Sequence, residues 1–297
     1  MVELCETPIL MVGKGWPGGY SLIDSGNGRK LEKFGDYHFI RPEPMALWEP
    51  HIRAWQANGE FLPGSDEDGG GRWHLDSSIP PHGWDLSWQG LTFRCQPTPF
   101  RHLQFFPDMV PVWEWISLQL PKGHKSETMN LFGYTGLASL VLSDYGPVTH
   151  VDASKKSVAQ ARRNADLSGM TNRPIRWLID DATKFVAREV RRGSRYDGII
   201  LDPPKFGRGP KNETWRLEEN LPGLLSNCRQ LLDSDSKFLF VTVYAVRMSS
   251  LALAGLLKDL FEDLGGKIEH GDLAVQEAEE RGRLLPTAIF ARWSKGD

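Results

Sequence analysis

Four short runs in the second half of the chain carry residue types able to hold a nucleoside. They are Asn130-Leu131-Phe132-Gly133-Tyr134-Thr135-Gly136, Val151-Asp152-Ala153-Ser154, Asp180-Asp181-Ala182-Thr183-Lys184-Phe185 and Leu201-Asp202-Pro203-Pro204-Lys205-Phe206. Each stands at the end of an apolar run. Gly133 and Gly136 let backbone approach a ligand with no β-carbon in the way. They lack the first glycine of Gly-x-Gly-x-x-Gly, so a pyrophosphate site is disfavoured. Asp152 stands where an acid accepts hydrogen bonds from ribose hydroxyls, although Asp152 and Ser154 both also suit a helix cap. Asp181 is placed to accept from the exocyclic amine of an adenine, with Ala182 or Phe185 near the ring, and a cap is again its alternative. Pro203 and Pro204 stiffen a turn and remove two N–H donors, leaving carbonyls to face an incoming amino group, while Phe206 offers a ring to a planar substrate. Alone, Asp-Pro-Pro would read as a rigid turn with Asp202 satisfied locally.

The elements that must position these runs follow from periodicity. Strands are expected at Glu127–Leu131, Val148–Val151, Ile175–Leu178, Gly198–Leu201, Lys237–Val243 and Thr287–Trp293. Helices are expected at Leu137–Ser143, Ser154–Gly169, Ala182–Arg192, Glu213–Leu232 and Ser249–Leu264. This alternation predicts a doubly wound, Rossmann-like α/β sheet, in which ligands bind beyond the carboxyl ends of the strands. All four runs lie at such ends. The segment from Asp108 to Leu120, with Asp108 as cap and Pro111 in the first turn, predicts a helix leading into this part. Residues 1–99 are rich in Gly, Pro and Trp, with short strands such as Tyr20–Ile23 and Tyr37–Ile40 between turn signals like Ser25-Gly26-Asn27-Gly28. They predict a small β-rich, substrate-binding domain ahead of a catalytic domain over 100–297. Pro63–Gly71 reads as a mobile loop on that first domain.

Bulk properties narrow the class. A chain of 297 residues with 40% hydrophobic content is large enough for one sizeable α/β domain and an appendage. No run is long enough to span a membrane and no secretory leader opens the chain, which points to the cytoplasm. Cys5, Cys95 and Cys228 are too scattered for a disulfide framework or a zinc site, so no metal is expected. A net charge of −3 excludes a broad basic coat, leaving any nucleic-acid contact local.

Together the runs resemble the class I S-adenosylmethionine-dependent methyltransferases, and Asp-Pro-Pro-Lys-Phe is similar to the bacterial large-subunit ribosomal RNA family that makes 5-methylcytosine or 7-methylguanine. The resemblance covers about Phe105 to Trp293, because Phe105-Phe106-Pro107-Asp108 is similar to the family element bordering the methionine end of the cofactor. It implies a seven-stranded sheet and S-adenosyl-L-methionine as cofactor. Phe106, Asp108, Asn130, Phe132, Gly133, Tyr134, Thr135, Gly136, Asp152, Ala153, Ser154, Asp181, Ala182 and Asp202 would hold it. Asp202, Pro203 and Phe206 would flank the transferred methyl. One departure matters: cytosine-5 chemistry needs a thiolate that adds to the ring, and the loops Lys205-Phe206-Gly207-Arg208 and Thr242-Val243-Tyr244-Ala245 hold no cysteine. Methylation of nitrogen, at a ring atom such as guanine N7 or an exocyclic amine, is therefore expected over carbon. Lys205, Arg208 and Lys211 are candidates for gripping ribosomal RNA phosphates. Arg188, Arg191, Arg192 and Arg195 read as a solvated helix face, and the tryptophans before Pro121 as core more than base platforms. A protein or small-molecule acceptor, or an RNA-binding factor without transfer, are the rival readings.

Overall fold

The structure, a computed structural model, describes residues 2–64, 70–121, 123, 125–244, 246–278 and 282–296. The chain groups into two compact units: residues 12–111 with 273–287, and residues 1–11 with 112–272 and 288–297. The sequence reading draws a single cut between 99 and 100. Strands β1 (Glu3–Leu4) and β2 (Ile9–Gly13) open the chain.

The unit of residues 12–111 is built on strands β3 (Tyr20–Gly26), β4 (Arg29–Phe34), β5 (Tyr37–Pro42), β6 (Gly59–Pro63) and β7 (Gly71–Leu75) in that spatial order. A hairpin of β8 (Trp84–Trp88) and β9 (Leu91–Cys95) accompanies them. The β3–β4 connection is Asn27-Gly28, both at positive φ (51° and 75°), which is what a two-residue hairpin turn with right-handed twist requires. Phe34, Phe39 and Phe93 are fully buried here, together with a buried ion pair in which Arg41 Nε donates to Glu32 Oε2 at 2.7 Å. Indole N–H groups are tied inward, Trp84 to Phe34 O at 3.0 Å and Trp55 to Asp24 Oδ2 at 2.9 Å. Both rings are partly buried, with their N–H groups engaged inside the unit. The centre of the expected 63–71 loop, residues 65–69, lies outside the described residues; Gly64 N still donates to Gly70 O across its base at 2.8 Å.

The other unit carries the parallel sheet. After α1 (Val110–Gln119) come β10 (Thr128–Leu131), α2 (Leu137–Leu142), β11 (Val148–Asp152), α3 (Lys155–Leu167), β12 (Ile175–Ile179), α4 (Ala182–Arg192) and β13 (Gly198–Leu201). A small hairpin, β14 (Phe206–Arg208) with β15 (Thr214–Arg216), precedes α5 (Leu217–Gln230), β16 (Phe238–Tyr244), α6 (Ser250–Phe261), β17 (Lys267–Gln276) and β18 (Leu284–Ser294). The sheet runs β17-β18-β16-β13-β10-β11-β12, with β1 and β2 pairing along β17, so two amino-terminal strands extend the seven expected. The order reverses beside β10, which makes the carboxyl ends of β10, β11 and β13 a topological switch point. Met129, Leu131, Val151, Ile199, Leu201 and Val241 are fully buried and pack against Phe185, Leu224 and Leu225 of the covering helices. No helix among the described residues is long and apolar enough to cross a membrane.

Two elements depart from the sequence reading. The helix expected from Glu213 begins at Leu217, because Thr214–Arg216 are extended partners of β14 and the Trp215 indole reaches Pro204 O. Strand β17 is not anticipated: Lys267-Ile-Glu-His-Gly-Asp-Leu interrupts its apolar alternation with charges and a glycine. Gly271 is required there, since a β-carbon would stand 1.7 Å from Ile9 O.

Candidate active site

The loop leaving β10 is bent against ordinary preference. Phe132 and Tyr134 both occupy the left-handed region, at φ 56° and 48°, where side chains other than glycine are strained. Gly133 between them is needed for closeness: a β-carbon would lie 2.4 Å from His150 Cε1 and 2.5 Å from its Nδ1. Gly136, at φ 83°, opens α2 and would strike Ala161 Cβ at 2.7 Å if it carried a side chain.

Several groups hold this conformation. Asp152 Oδ2 accepts from Tyr134 N at 2.9 Å and its Oδ1 from Ser154 N at 2.8 Å. Asn164 of α3 donates to Thr135 O at 2.9 Å. Beneath the loop, Asn130 Nδ2 donates to Ser139 Oγ, which pairs with His150 Nδ1, both at 2.9 Å. His150 is fully buried, and burial lowers its pKa to about 3, so the ring is neutral. Its edge meets Trp177 at 4.8 Å between ring centres. Neither Ser139, His150 nor Trp177 stands out in the sequence; a histidine and a serine inside apolar runs are the one signal that a polar layer underlies the glycine turn.

Strand register lines up the tips. Leu131 pairs with Val151 and Leu201, and Leu201 with Val241, so the next residues, Phe132, Asp152, Asp202 and Thr242, fall level across four strands. Burial pushes the Asp152 carboxyl up, against the two backbone donors that pull it down, and the net direction is up. Each of its oxygens uses one lone pair on those donors and keeps another for a ligand hydroxyl. Asp181 caps α4, its Oδ1 accepting from Lys184 N at 2.9 Å, with Ala182 buried behind it. Ser154 caps α3 in the same manner through Ser157 N at 3.2 Å, next to Ala153. The cap readings are thus realised, and a cap uses only one oxygen of Asp181. Thr242 Oγ1 donates to Asp202 Oδ1 at 2.6 Å.

At the Asp-Pro-Pro turn, Pro204 O accepts from Trp215 Nε1 at 2.6 Å, and just beyond it Lys205 O accepts from Leu217 N at 3.0 Å, so these two carbonyls are engaged within the chain. These bonds fasten the hairpin and the start of α5 to the turn. Phe206 is 47% exposed, with Arg208 Cζ 5.8 Å from its ring centre. Lys205, Arg208 and Lys211 all lie exposed on or beside this hairpin. Arg188 and Arg192 pair with Asp180 and Glu189 while keeping part of their side chains in solvent. Phe106 and Asp108 belong to the unit of residues 12–111, at the start of a short 3-10 helix, Pro107–Met109. Among the described residues no group of three or more His, Cys, Asp or Glu could hold a metal ion.

No family model matches the chain. The S-adenosylmethionine-dependent methyltransferase from Agrobacterium tumefaciens is similar over 99% of this chain and 95% of its own, at 40% identity with a TM-score of 0.92. The chain belongs to the S-adenosylmethionine-dependent methyltransferases. It is an enzyme of that family and S-adenosyl-L-methionine is its cofactor. A solved structure from Streptococcus mutans, a putative methyltransferase of this class, is 14% identical with a TM-score of 0.66 and shares the fold. Among curated proteins, this methyltransferase is 31% identical over 107 residues to ribosomal RNA large subunit methyltransferase I of Klebsiella pneumoniae, spanning 35% of this chain and 24% of that protein. It is 30% identical over 115 residues to ribosomal RNA large subunit methyltransferase K/L of Vibrio cholerae, spanning 38% of this chain and 16% of that one. The match therefore covers about a quarter or less of those two relatives' length.

Proposed function

We propose that this methyltransferase modifies a base of ribosomal RNA, at a nitrogen in preference to cytosine C5. The observation that carries the choice of atom is the environment of the thiols. Cys228 and Cys95 are fully buried, and burial drives both thiols far above their ordinary range. Cys5 follows β1, which lies four strands from β13 in the sheet, roughly 19 Å at the usual spacing. A covalent adduct to a pyrimidine ring has no nucleophile beside Asp202.

Bound S-adenosylmethionine supplies an electrophilic methyl on a sulfonium. In this reading the bent backbone of 132–136 cradles the cofactor, Asp152 accepts from the ribose and the remaining oxygen of Asp181 accepts from the adenine amine. Asp202, held in one rotamer by Thr242, stands beside the acceptor nitrogen. A ring nitrogen needs only alignment, and an exocyclic amine would pass its proton to Asp202. Phe206 stacks the base while Lys205, Arg208 and Lys211 meet phosphates. Support for the substrate comes from the ribosomal RNA methyltransferases that resemble the catalytic segment. The β-rich part before the sheet serves as the substrate-binding domain, and such a substrate places the enzyme in the cytoplasm.

Incubation with methyl-labelled cofactor, followed by separation of cellular RNA, protein and small molecules, tests this function. Label confined to RNA is expected. Label in protein or small molecules alone overturns it.

A further inference from the structure

The Gly15-Trp16-Pro17-Gly18-Gly19 run plays no part in the sheet site, yet it builds something definite. Gly19 N donates to Trp16 O at 3.2 Å, with Pro17 and Gly18 (φ 71°) in the middle, the arrangement of a type II turn. Gly19 lets the Trp16 ring fold onto its own turn, since a β-carbon there would stand 1.8 Å from the indole nitrogen. That nitrogen donates to Ser87 O at 2.8 Å, and Phe105 meets the ring edge-on at 5.6 Å between centres. The indole is therefore fixed, and it remains partly exposed. It borders an open cavity of about 640 Å³ lined also by Lys14, Gly18, Lys33, Gln276 and Glu277, all within the unit of residues 12–111 and 273–287. That size suits a ligand of nucleotide dimensions.

Among the described lining residues, Lys14 and Lys33 stand against one carboxylate, Glu277. Neither Lys14 nor Lys33 has a carboxylate within salt-bridge distance among the described residues. Glu277 is buried, with Ser25 Oγ donating to Oε1 at 2.5 Å and Arg283 at 3.9 Å, so its carboxylate is already engaged. A fixed aromatic ring with two cations beside glycine backbone is the chemistry that holds an unpaired base and its phosphates.

We propose that this cleft binds a single-stranded nucleotide segment of the RNA substrate, one base stacked on Trp16 and its flanking phosphates on Lys14 and Lys33. The assignment rests on the RNA reading above. Titration of a labelled oligoadenylate of about 12 nucleotides, within the usual span of single-strand sites, measures it over a range of salt concentrations. For Lys14→Ala with Lys33→Ala, affinity should fall and the slope of log Kd against log salt should become shallower by about 1.4, two phosphates at about 0.7 each. Trp16→Ala should weaken binding about tenfold without changing that slope, and Trp16→Phe should restore most of it. Near-ultraviolet circular dichroism and melting temperature, unchanged in all of these variants, serve as the check on folding. Wild type that binds the oligomer while every variant binds equally well overturns the cleft alone. Wild type that binds neither the oligomer nor protein-free ribosomal RNA overturns the RNA reading and the cleft with it.

Discussion

The Asp152 carboxylate accepts from the backbone N–H of Tyr134 at 2.9 Å, so the acid at the tip of β11 holds the strained loop that leaves β10. One residue thus shapes the cradle and, in the proposed function, contacts the ribose.

Asp152→Asn keeps the size and loses one acceptor, turning an amide N–H toward a backbone N–H. An unmade bond at such a site costs about 1–3 kcal/mol. Calorimetric titration should show S-adenosylmethionine binding weakened about 10- to 100-fold. Affinity within twofold of wild type would remove Asp152 from the cofactor site.

Gly133→Ala drives a methyl group into His150, which Ser139 holds from the other side. Overpacking of this kind costs about 1–3 kcal/mol. A lower melting temperature together with weakened cofactor binding is expected. A variant as stable as wild type would mean the His150 layer can yield.

Much of the parallel unit is legible in the sequence, for a physical reason: the central strands β10 and β13 are buried along their whole length and read as apolar runs, and a glycine or an acid follows closely after β10, β12 and β13 and closes β11. The Ala182–Arg192 helix and the Gly198–Leu201 strand are found with the bounds expected. Strand β17 is hidden because it carries Glu269, His270 and Asp272 among its apolar residues. The β14–β15 hairpin is hidden because its cause is a contact between residues eleven apart, Trp215 and Pro204, which no local pattern announces. The layer of Asn130, Ser139 and His150 leaves only a faint trace, a serine and a histidine inside apolar runs, and its pairing with Asn130 is recognised only once strand and helix are packed.

The neutral His150 ties stability to pH. Its folded pKa, about 3, lies below the ordinary 6.5, so between these values the unfolded chain takes up a proton that the folded chain does not. Stability is complete above about pH 6.5 and falls as pH drops toward 3, by about 2 kcal/mol for this residue at pH 5. His102 in the other unit, also lowered to about 3 by burial and by Arg41, adds in the same direction. Urea unfolding at pH 7.5 and pH 5.0 should show the loss, and His150→Gln should lessen it. Equal pH dependence in the variant would contradict the assignment.

Thr242→Val removes the donor that fixes Asp202 while leaving the strand's shape. Methyl transfer should slow about 10- to 100-fold with S-adenosylmethionine affinity nearly unchanged. A loss of cofactor binding with unaltered turnover of the bound complex would assign the pair to the cofactor instead.

The most direct measurement identifies the methylated nucleoside. Protein-free ribosomal RNA from cells lacking the gene is treated with the enzyme and with a Cys5→Ser, Cys95→Ala, Cys228→Ala variant, then digested to nucleosides and mapped by mass. One methyl on a base nitrogen, installed by both proteins at comparable rates, is expected. A methyl on cytosine C5, or transfer abolished in a folded cysteine-free variant, would contradict it.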